Sequence, residues 1–287
     1  MELSDTRRRS RAGRHLLLVP TALVVVVCFV VPLGLTAVYS FGTSDLLTFQ
    51  TRFGWTLHNY ASLGQAVYFS AIVRSLVLSA TATVACAVIA LPLAFFIVEQ
   101  RPRLQMLLLL AVIVPFWTSF LIRTYAWVNI LQNKGPLEYV LHRLGLVHGP
   151  LNVLYSPLAI GVGIVFSYLP LMVLPIYVAL ERRDPAVLEA AGDLGSHGAG
   201  LMWHVVIPLA RAGIIAGCIL VGIPATGEFV IPAILGGGKT LMLGNVIGTQ
   251  FLETGDLALG SAMAMSLLGV VVIVLAVLPL FRRRSKA

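Results

Sequence analysis

Glu228 stands in the run Ile223-Pro224-Ala225-Thr226-Gly227-Glu228-Phe229-Val230-Ile231-Pro232, an ionisable side chain between two prolines in an apolar stretch. Each proline removes a helix hydrogen bond, so the spacing predicts a broken helix whose freed carbonyls need partners from protein or water. A carboxylate beside free carbonyls suits a cation, and a charge inside a span marks a functional site by default. The same carboxylate could instead pair with Arg123, pair with a basic residue of another subunit, or meet water at the outer mouth. Arg123 belongs to a second run, Pro115-Phe116-Trp117-Thr118-Ser119-Phe120-Leu121-Ile122-Arg123-Thr124-Tyr125-Ala126-Trp127. At 1.5 Å per residue it lies about 28 Å along a helix from Leu104, near the outer interface. There it either snorkels outward or, with Trp117, Tyr125 and Trp127, lines or gates a pathway. Glu228 together with Trp117, Tyr125, Trp127 and Phe229 offers charge and cation-π attraction to a cation.

A third run carries mechanics rather than ligand chemistry. Glu189-Ala190-Ala191-Gly192-Asp193-Leu194-Gly195, continued to Ile207-Pro208, occupies the longest basic-flanked loop. Ala190, Ala191, Gly192 and Gly195 let a partner approach a helix closely. The turn-prone Gly198 to Gly200 predicts a helix, a turn and a second short segment ending at Pro208.

No catalytic or metal-ligating constellation accompanies these runs. His15, His58, His142, His148, His197 and His204 are scattered without paired carboxylates or metal spacing. Cys28, Cys86 and Cys218 are far apart inside apolar runs, which suits packing rather than disulfides. Gly236-Gly237-Gly238-Lys239-Thr240 imitates the end of a phosphate-binding loop, but Ala233 stands where its first glycine is required and no strand precedes it. A nucleotide site is therefore rejected, and no cofactor is expected in this chain.

The elements that position these runs must be membrane helices. Of 287 residues 58% are hydrophobic and 11% charged, and mean hydropathy is +0.93, whereas a soluble domain keeps about a quarter of its residues charged. Six apolar runs, 16–41, 70–98, 104–131, 157–180, 212–235 and 261–281, reach the roughly 20 residues that cross a hydrocarbon core. Each is expected to be helical, because lipid offers no partner to the backbone. The predicted fold is an all-α integral membrane protein. Residues 1–15 form a basic N-terminus, residues 16–281 a six-helix domain with the loop 181–211, and residues 282–287 a basic tail. The first run is too long for a cleaved signal peptide and lacks a small-x-small cleavage site, so it reads as a retained helix.

The net charge of +8 does not indicate nucleic acid. Arg7, Arg8, Arg9, Arg11, Arg14, Arg101, Arg103, Arg182, Arg183, Arg211, Arg282, Arg283, Arg284 and Lys286 all fall on one side if the six spans alternate. The positive-inside rule then places both termini of a multi-pass membrane protein in the cytoplasm. By the same alternation 42–69 is an outer mixed loop, with Trp55 and Tyr60 at the interfacial belt. An amphipathic piece at 137–146 lies flat on the outer surface, and 245–251 forms a short amphipathic helix.

The Glu-Ala-Ala, three residues, Gly195, nine residues, Val205, Ile207 and Pro208 pattern resembles the coupling loop of permease subunits of ATP-binding cassette importers, with Val205 and Ile207 where that family usually has Ile and Leu. Pro115 to Trp127, Tyr168-Leu169-Pro170-Leu171-Met172-Val173-Leu174-Pro175-Ile176-Tyr177, Gly213-Ile214-Ile215-Ala216-Gly217, and Gly227 to Pro232 with Leu235-Gly236-Gly237 resemble the branch that contains the first permease of spermidine/putrescine importers. The resemblance implies a type I importer. Two permease subunits would form the pathway, a cytoplasmic ATPase dimer would bind ATP and Mg, and an extracytoplasmic binding protein would deliver the small-molecule substrate. It implies that Glu189, Ala190, Ala191, Gly195 and Pro208 dock on the ATPase, so that this chain is itself no enzyme. An importer of another small solute, an amino-acid derivative or an anion that meets Arg123, is the alternative within the class. A stand-alone channel or membrane enzyme would leave the coupling loop unexplained.

Overall fold

The computed structural model describes residue 20 and residues 23–45 and 50–284. The basic N-terminus 1–15, the first residues of the first apolar run and the last three residues of the tail lie outside the described residues. The rest is overwhelmingly helical, in two compact units: residues up to 65 together with those from 247 onward, and 66–246.

In the first unit an apolar helix runs from Leu23 to Tyr39, its second half being α1 (Val31–Tyr39). The expected mixed loop is more ordered than its composition suggests. Strands β1 (Thr43–Asp45) and β2 (Gln50–Arg52) pair antiparallel, Thr43 opposite Arg52, and α2 (His58–Ser62) follows. Buried Asn59 organises this segment: its Nδ2 donates to the carbonyls of Ser40 at 3.0 Å and Gly42 at 2.8 Å. Tyr60 donates to Ser40 Oγ, and Trp55 is exposed and tilts against Phe41. The long helix α13 (Leu257–Arg284), introduced by left-handed Gly255, packs on α1 and α2.

The second unit is built on α3 (Ala66–Val98), α7 (Pro157–Glu181) and α10 (Ile207–Thr226), which pack on one another. Small residues make that contact possible, as lipid-embedded helices without a hydrophobic driving force require. A Cβ on Gly213 would lie 2.3 Å from the carbonyl oxygen of Pro175, and one on Gly217 would lie 2.4 Å from Met172 Sδ. Glycine four residues apart is the residue type that admits α7 here. Cys86 packs in this core, Cys218 is half-buried and Cys28 is exposed. Pro92, Pro170 and Pro175 stay within continuous helices.

Two expected boundaries move. The third apolar run is not one kinked helix: α4 (Pro102–Trp117) meets the stretch Phe120–Arg143, which opens with α5 (Phe120–Leu131), at a 94° bend. Pro115 cannot extend the ladder, and Thr118 and Ser119 turn extended, Thr118 returning its N–H and hydroxyl to the Pro115 carbonyl at 3.3 and 2.7 Å. The fifth run begins earlier than residue 212, because α9 (Gly198–Leu201) continues through a π-turn at Met202–Val206 into α10. In that turn Ile207 N–H bonds to Met202, the wider register that lets a helix pass Pro208 without its missing donor. Among the described residues four helices are long and apolar enough to cross a membrane, or five if the bent pair counts as one span. Leu23–Tyr39 is a shorter apolar helix.

Shorter elements complete the unit. α6 (Pro136–Arg143) matches the predicted amphipathic piece, with Glu138 buried and accepting from Leu151 N–H at 3.2 Å. α8 (Pro185–Asp193) lies in the basic-flanked loop, α11 (Val230–Leu235) follows the proline-flanked break, and α12 (Leu243–Thr249) matches the predicted short helix.

Candidate functional site

Glu228 sits where the sequence places it, in a gap between α10 and α11, and the gap is built donor by donor. α10 stops at Gly227, directly after the proline-containing turn. α11 opens with Val230, Ile231 and Pro232, whose third position has no N–H to lose. The other two donors converge on one atom: Glu228 Oε1 accepts from Val230 at 3.0 Å and Ile231 at 3.3 Å. Oε2 accepts from the Tyr168 hydroxyl of α7. With the residue 7% exposed, the carboxylate is a helix cap tied to a neighbouring span, which is a charge-assisted and strong arrangement.

The freed carbonyls of the gap are served by protein. Asn245 Nδ2 donates to the Phe229 carbonyl at 2.9 Å, and Gly244 approaches so closely that a Cβ there would lie 2.5 Å from the Glu228 carbonyl oxygen. From α3, Ser79 accepts from the Thr226 hydroxyl at 3.0 Å and Ser75 accepts from Leu243 N–H at 2.6 Å. Helices α3, α7 and α12 therefore hold the break open in one shape. Hydrogen bonds to a charged group contribute about 1.5–3 kcal/mol each, so Glu228→Ala, which deletes all three, is expected to lower thermal stability far more than Glu228→Gln, which retains an acceptor. Thermal denaturation of both purified variants in detergent checks the order; equal loss would mean that the cap carries nothing.

Arg123 does not snorkel outward. The 94° bend turns α5 away from the axis of α4, and the side chain ends 9% exposed, its guanidinium 5.4 Å from the Phe116 ring and 5.7 Å from the Phe120 ring. Its Nε has no hydrogen-bond partner. Among the described residues no ion pair joins Arg123 to Glu228; Tyr168 lies within electrostatic reach of both. The expected aromatic group is dispersed. Trp117 is 76% exposed, Tyr125 and Phe229 are exposed, and Trp127 packs edge-on against Phe166 at 5.4 Å. Residues that sequence reasoning passed over, Tyr168, Phe116, Phe120 and Asn245, make the contacts instead. Phe116 and Phe120 flank the Thr118-Ser119 turn, and Arg123 follows Phe120 by a near-turn spacing, a signal that becomes readable only when the break is recognised.

The basic-flanked loop is a helix, a turn and a helix, with the turn placed earlier than expected. Asp184 caps α8 by accepting from Ala186 N–H at 3.0 Å. The helix ends in a left-handed Gly195, with Gly195 N–H to Gly192 at 2.9 Å and Ser196 N–H to Ala191 at 2.9 Å, a C-terminal glycine cap. Gly198 then starts the next helix instead of interrupting it. Glu189, Ala190, Gly195 and Pro208 are exposed, whereas Ala191 is buried. Leu194 at 88% and Trp203 at 69% exposure stand beside them, apolar groups of the kind that mark an interaction surface. Arg183, just before α8, pairs with Glu99 after α3 and stacks 5.5 Å over Phe95.

Lys239 of the glycine run is exposed on the turn that follows α11, with Gly237 and Gly238 left-handed. Gly237 lies against the Tyr155 ring. This is a tight helix-to-loop exit rather than a phosphate cradle. Among the described residues no group of three His, Cys, Asp or Glu could hold a metal.

With this geometry in place, similar proteins can be compared. No protein-family model matches the chain. It is 40% identical over 228 residues to the spermidine/putrescine transport system permease protein PotB of Salmonella typhimurium, covering 79% of each protein. It is 39% identical over 237 residues to PotB of Haemophilus influenzae, covering 83% of this chain and 82% of that protein. The inner membrane ABC transporter permease protein YdcU of Escherichia coli is 30% identical over 236 residues, 77% of this chain and 74% of that protein. Among solved structures, a chain of a bacterial ABC transporter that imports the acidic polysaccharide alginate matches with a TM-score of 0.76 at 15% identity, over 99% of both chains. The same kind of transporter in complex with its alginate pentasaccharide-bound periplasmic protein matches with a TM-score of 0.70.

Proposed function

The chain belongs to the ABC transporter permease family that contains the PotB proteins, and from that premise we propose that it imports polyamines as one of two permeases of a binding-protein-dependent transporter. The observation that carries the reading is the 40% identity, over four fifths of the chain, to permeases named for spermidine and putrescine transport. The subunit spans the inner membrane six times with both termini in the cytoplasm, the first span including Leu23–Tyr39 and the third formed by the bent pair α4 and α5. An ATPase dimer binds ATP and Mg and docks on Glu189, Ala190, Ala191, Gly195 and Pro208, and a periplasmic binding protein supplies the substrate.

In the proposed cycle the ATPases push on α8. Because α8 ends in a glycine-capped turn and the next helix runs unbroken from Gly198 to Thr226, displacement at the loop reaches the Gly227–Phe229 break directly. The break is the two-state element, since its Glu228 cap is shared between α11 and Tyr168 of α7. Release of Tyr168 frees one carboxylate oxygen for an ammonium group of the substrate, with Arg123, Trp117, Tyr125, Trp127 and Phe229 along the remaining path.

Uptake of labelled spermidine or putrescine into proteoliposomes containing the whole transporter tests this. Uptake that requires ATP and the binding protein is expected, with Glu228→Gln lowering it; Glu228→Gln uptake at the wild-type rate removes the carboxylate from the path. A second reading draws on the unpartnered Nε of buried Arg123 and on the already occupied oxygens of Glu228. It gives the same transporter an anionic solute. Failure of excess spermidine to compete for uptake of the natural substrate would decide for it.

A further inference from the structure

α3 is far longer than a bilayer needs. At 1.5 Å per residue its 33 residues span about 50 Å, against a hydrocarbon core of about 30 Å, so the helix is long enough for its first two turns to reach headgroup depth. A groove of about 490 Å³ opens at that end, lined by Phe69, Ser70, Val73, Arg74, Val77 and Leu78, with Pro157 at the start of α7 closing one side. The chemistry along the groove is ordered. Ser70 and Arg74 are four residues apart and share a helix face, about 6 and 12 Å from the helix start. Phe69, Val73 and Val77, also four apart, form an apolar stripe beside them that continues toward the core.

Arg74 is poorly used by the protein. Among the described residues its one hydrogen bond is from Nη1 to the Leu241 carbonyl at 3.4 Å, and no carboxylate pairs with it. A guanidinium has five donors and matches phosphate with two at once. Phe69, Val73 and Val77 are exposed on the surface of the helix, where an acyl chain is the natural neighbour.

We propose that this groove is a binding site for one anionic phospholipid, the phosphate held by Arg74 beside Ser70, whose hydroxyl donates to the Val67 carbonyl at 2.8 Å, and one acyl chain lying along Phe69, Val73 and Val77. Such a lipid would splint the α3 end to which Leu243 is hydrogen-bonded through Ser75, one residue beyond Arg74. The site is independent of the substrate carried.

The test uses the whole transporter purified in detergent containing phosphatidylglycerol and phosphatidylethanolamine, followed by native mass spectrometry. Wild type is expected to retain about one more phosphatidylglycerol per copy than Arg74→Gln, and to show no such difference for phosphatidylethanolamine. A photoreactive benzoylphenylalanine in place of Val77, which leaves Arg74 intact, is expected to yield a phospholipid adduct in membranes. Equal phosphatidylglycerol retention in both proteins, or cross-linking of position 77 to another polypeptide in place of lipid, overturns the proposal.

Discussion

Gly213→Leu is expected to prevent the chain from forming a stable, monodisperse protein. The glycine faces α7 at the closest approach of two spans: even a single Cβ would lie 2.3 Å from the Pro175 carbonyl oxygen, 2.8 Å from Ile176 Cα and 2.9 Å from Ala179 Cβ. Two of those three atoms are backbone, which cannot turn aside as a side-chain tip can. Overpacking a core by a few methylenes costs about 1–3 kcal/mol when side chains can give way, and here they cannot, so the upper end of that range is the least to expect. Pro175 also stands at the contact within α7. Gly161→Leu is the control, because a Cβ at Gly161 on the same α7 meets nothing within 4 Å. Fluorescence-detected size exclusion after graded heating compares the two. Gly213→Leu should lose its folded peak at temperatures where Gly161→Leu and wild type retain theirs; survival of Gly213→Leu would mean that α7 and α10 separate more easily than their packing indicates.

Glu189→Lys is expected to lower transport by more than tenfold while leaving the chain folded. Glu189 is exposed in the middle of α8, and surface substitutions away from special features change stability by about 0.5 kcal/mol or less. A loss of transport would therefore be assigned to the proposed docking at this helix. Reversal of charge at an interface is costly, because like-charge juxtaposition costs several kcal/mol, and a factor of ten needs only about 1.4 kcal/mol. Proteoliposome uptake together with ATP hydrolysis, on complexes shown to have inserted, checks the outcome. Loss of uptake with a normal amount of inserted protein supports the docking role of Glu189 to Pro208. Wild-type uptake in Glu189→Lys would move the ATPase contact elsewhere, with exposed Leu194 and Trp203 the next residues to change.

The two experiments fail differently. Gly213 concerns packing and is indifferent to substrate and partner, whereas Glu189 tests the proposed coupling of the chain to an ATPase. A transporter with wild-type Gly213→Leu behaviour would question the helix arrangement, and one with wild-type Glu189→Lys behaviour would question the proposed mechanism while the fold stood.

What the sequence by itself determined follows from short-range rules. The apolar runs had to be helices because lipid leaves the backbone no other partner. The interruption at Gly227 to Phe229 was readable because prolines at 224 and 232 delete specific donors, and a helix, a turn and a helix in the basic-flanked loop because glycines punctuate it, although the turn comes at left-handed Gly195, ahead of the expected Gly198 to Gly200. Only the tertiary structure decided where the charges went. Nothing local says that both Glu228 oxygens would be occupied, one by the Val230 and Ile231 amides and the other by Tyr168, sixty residues away. Helical extrapolation from Leu104 carried Arg123 to the outer interface, but two extended residues at 118 and 119 bend the chain by 94° and fold the guanidinium between Phe116 and Phe120. The physical reason is one of range. Backbone hydrogen bonding is settled within a few residues and is written in proline and glycine positions, whereas the partner of a buried charge is chosen by whichever distant helix is packed beside it.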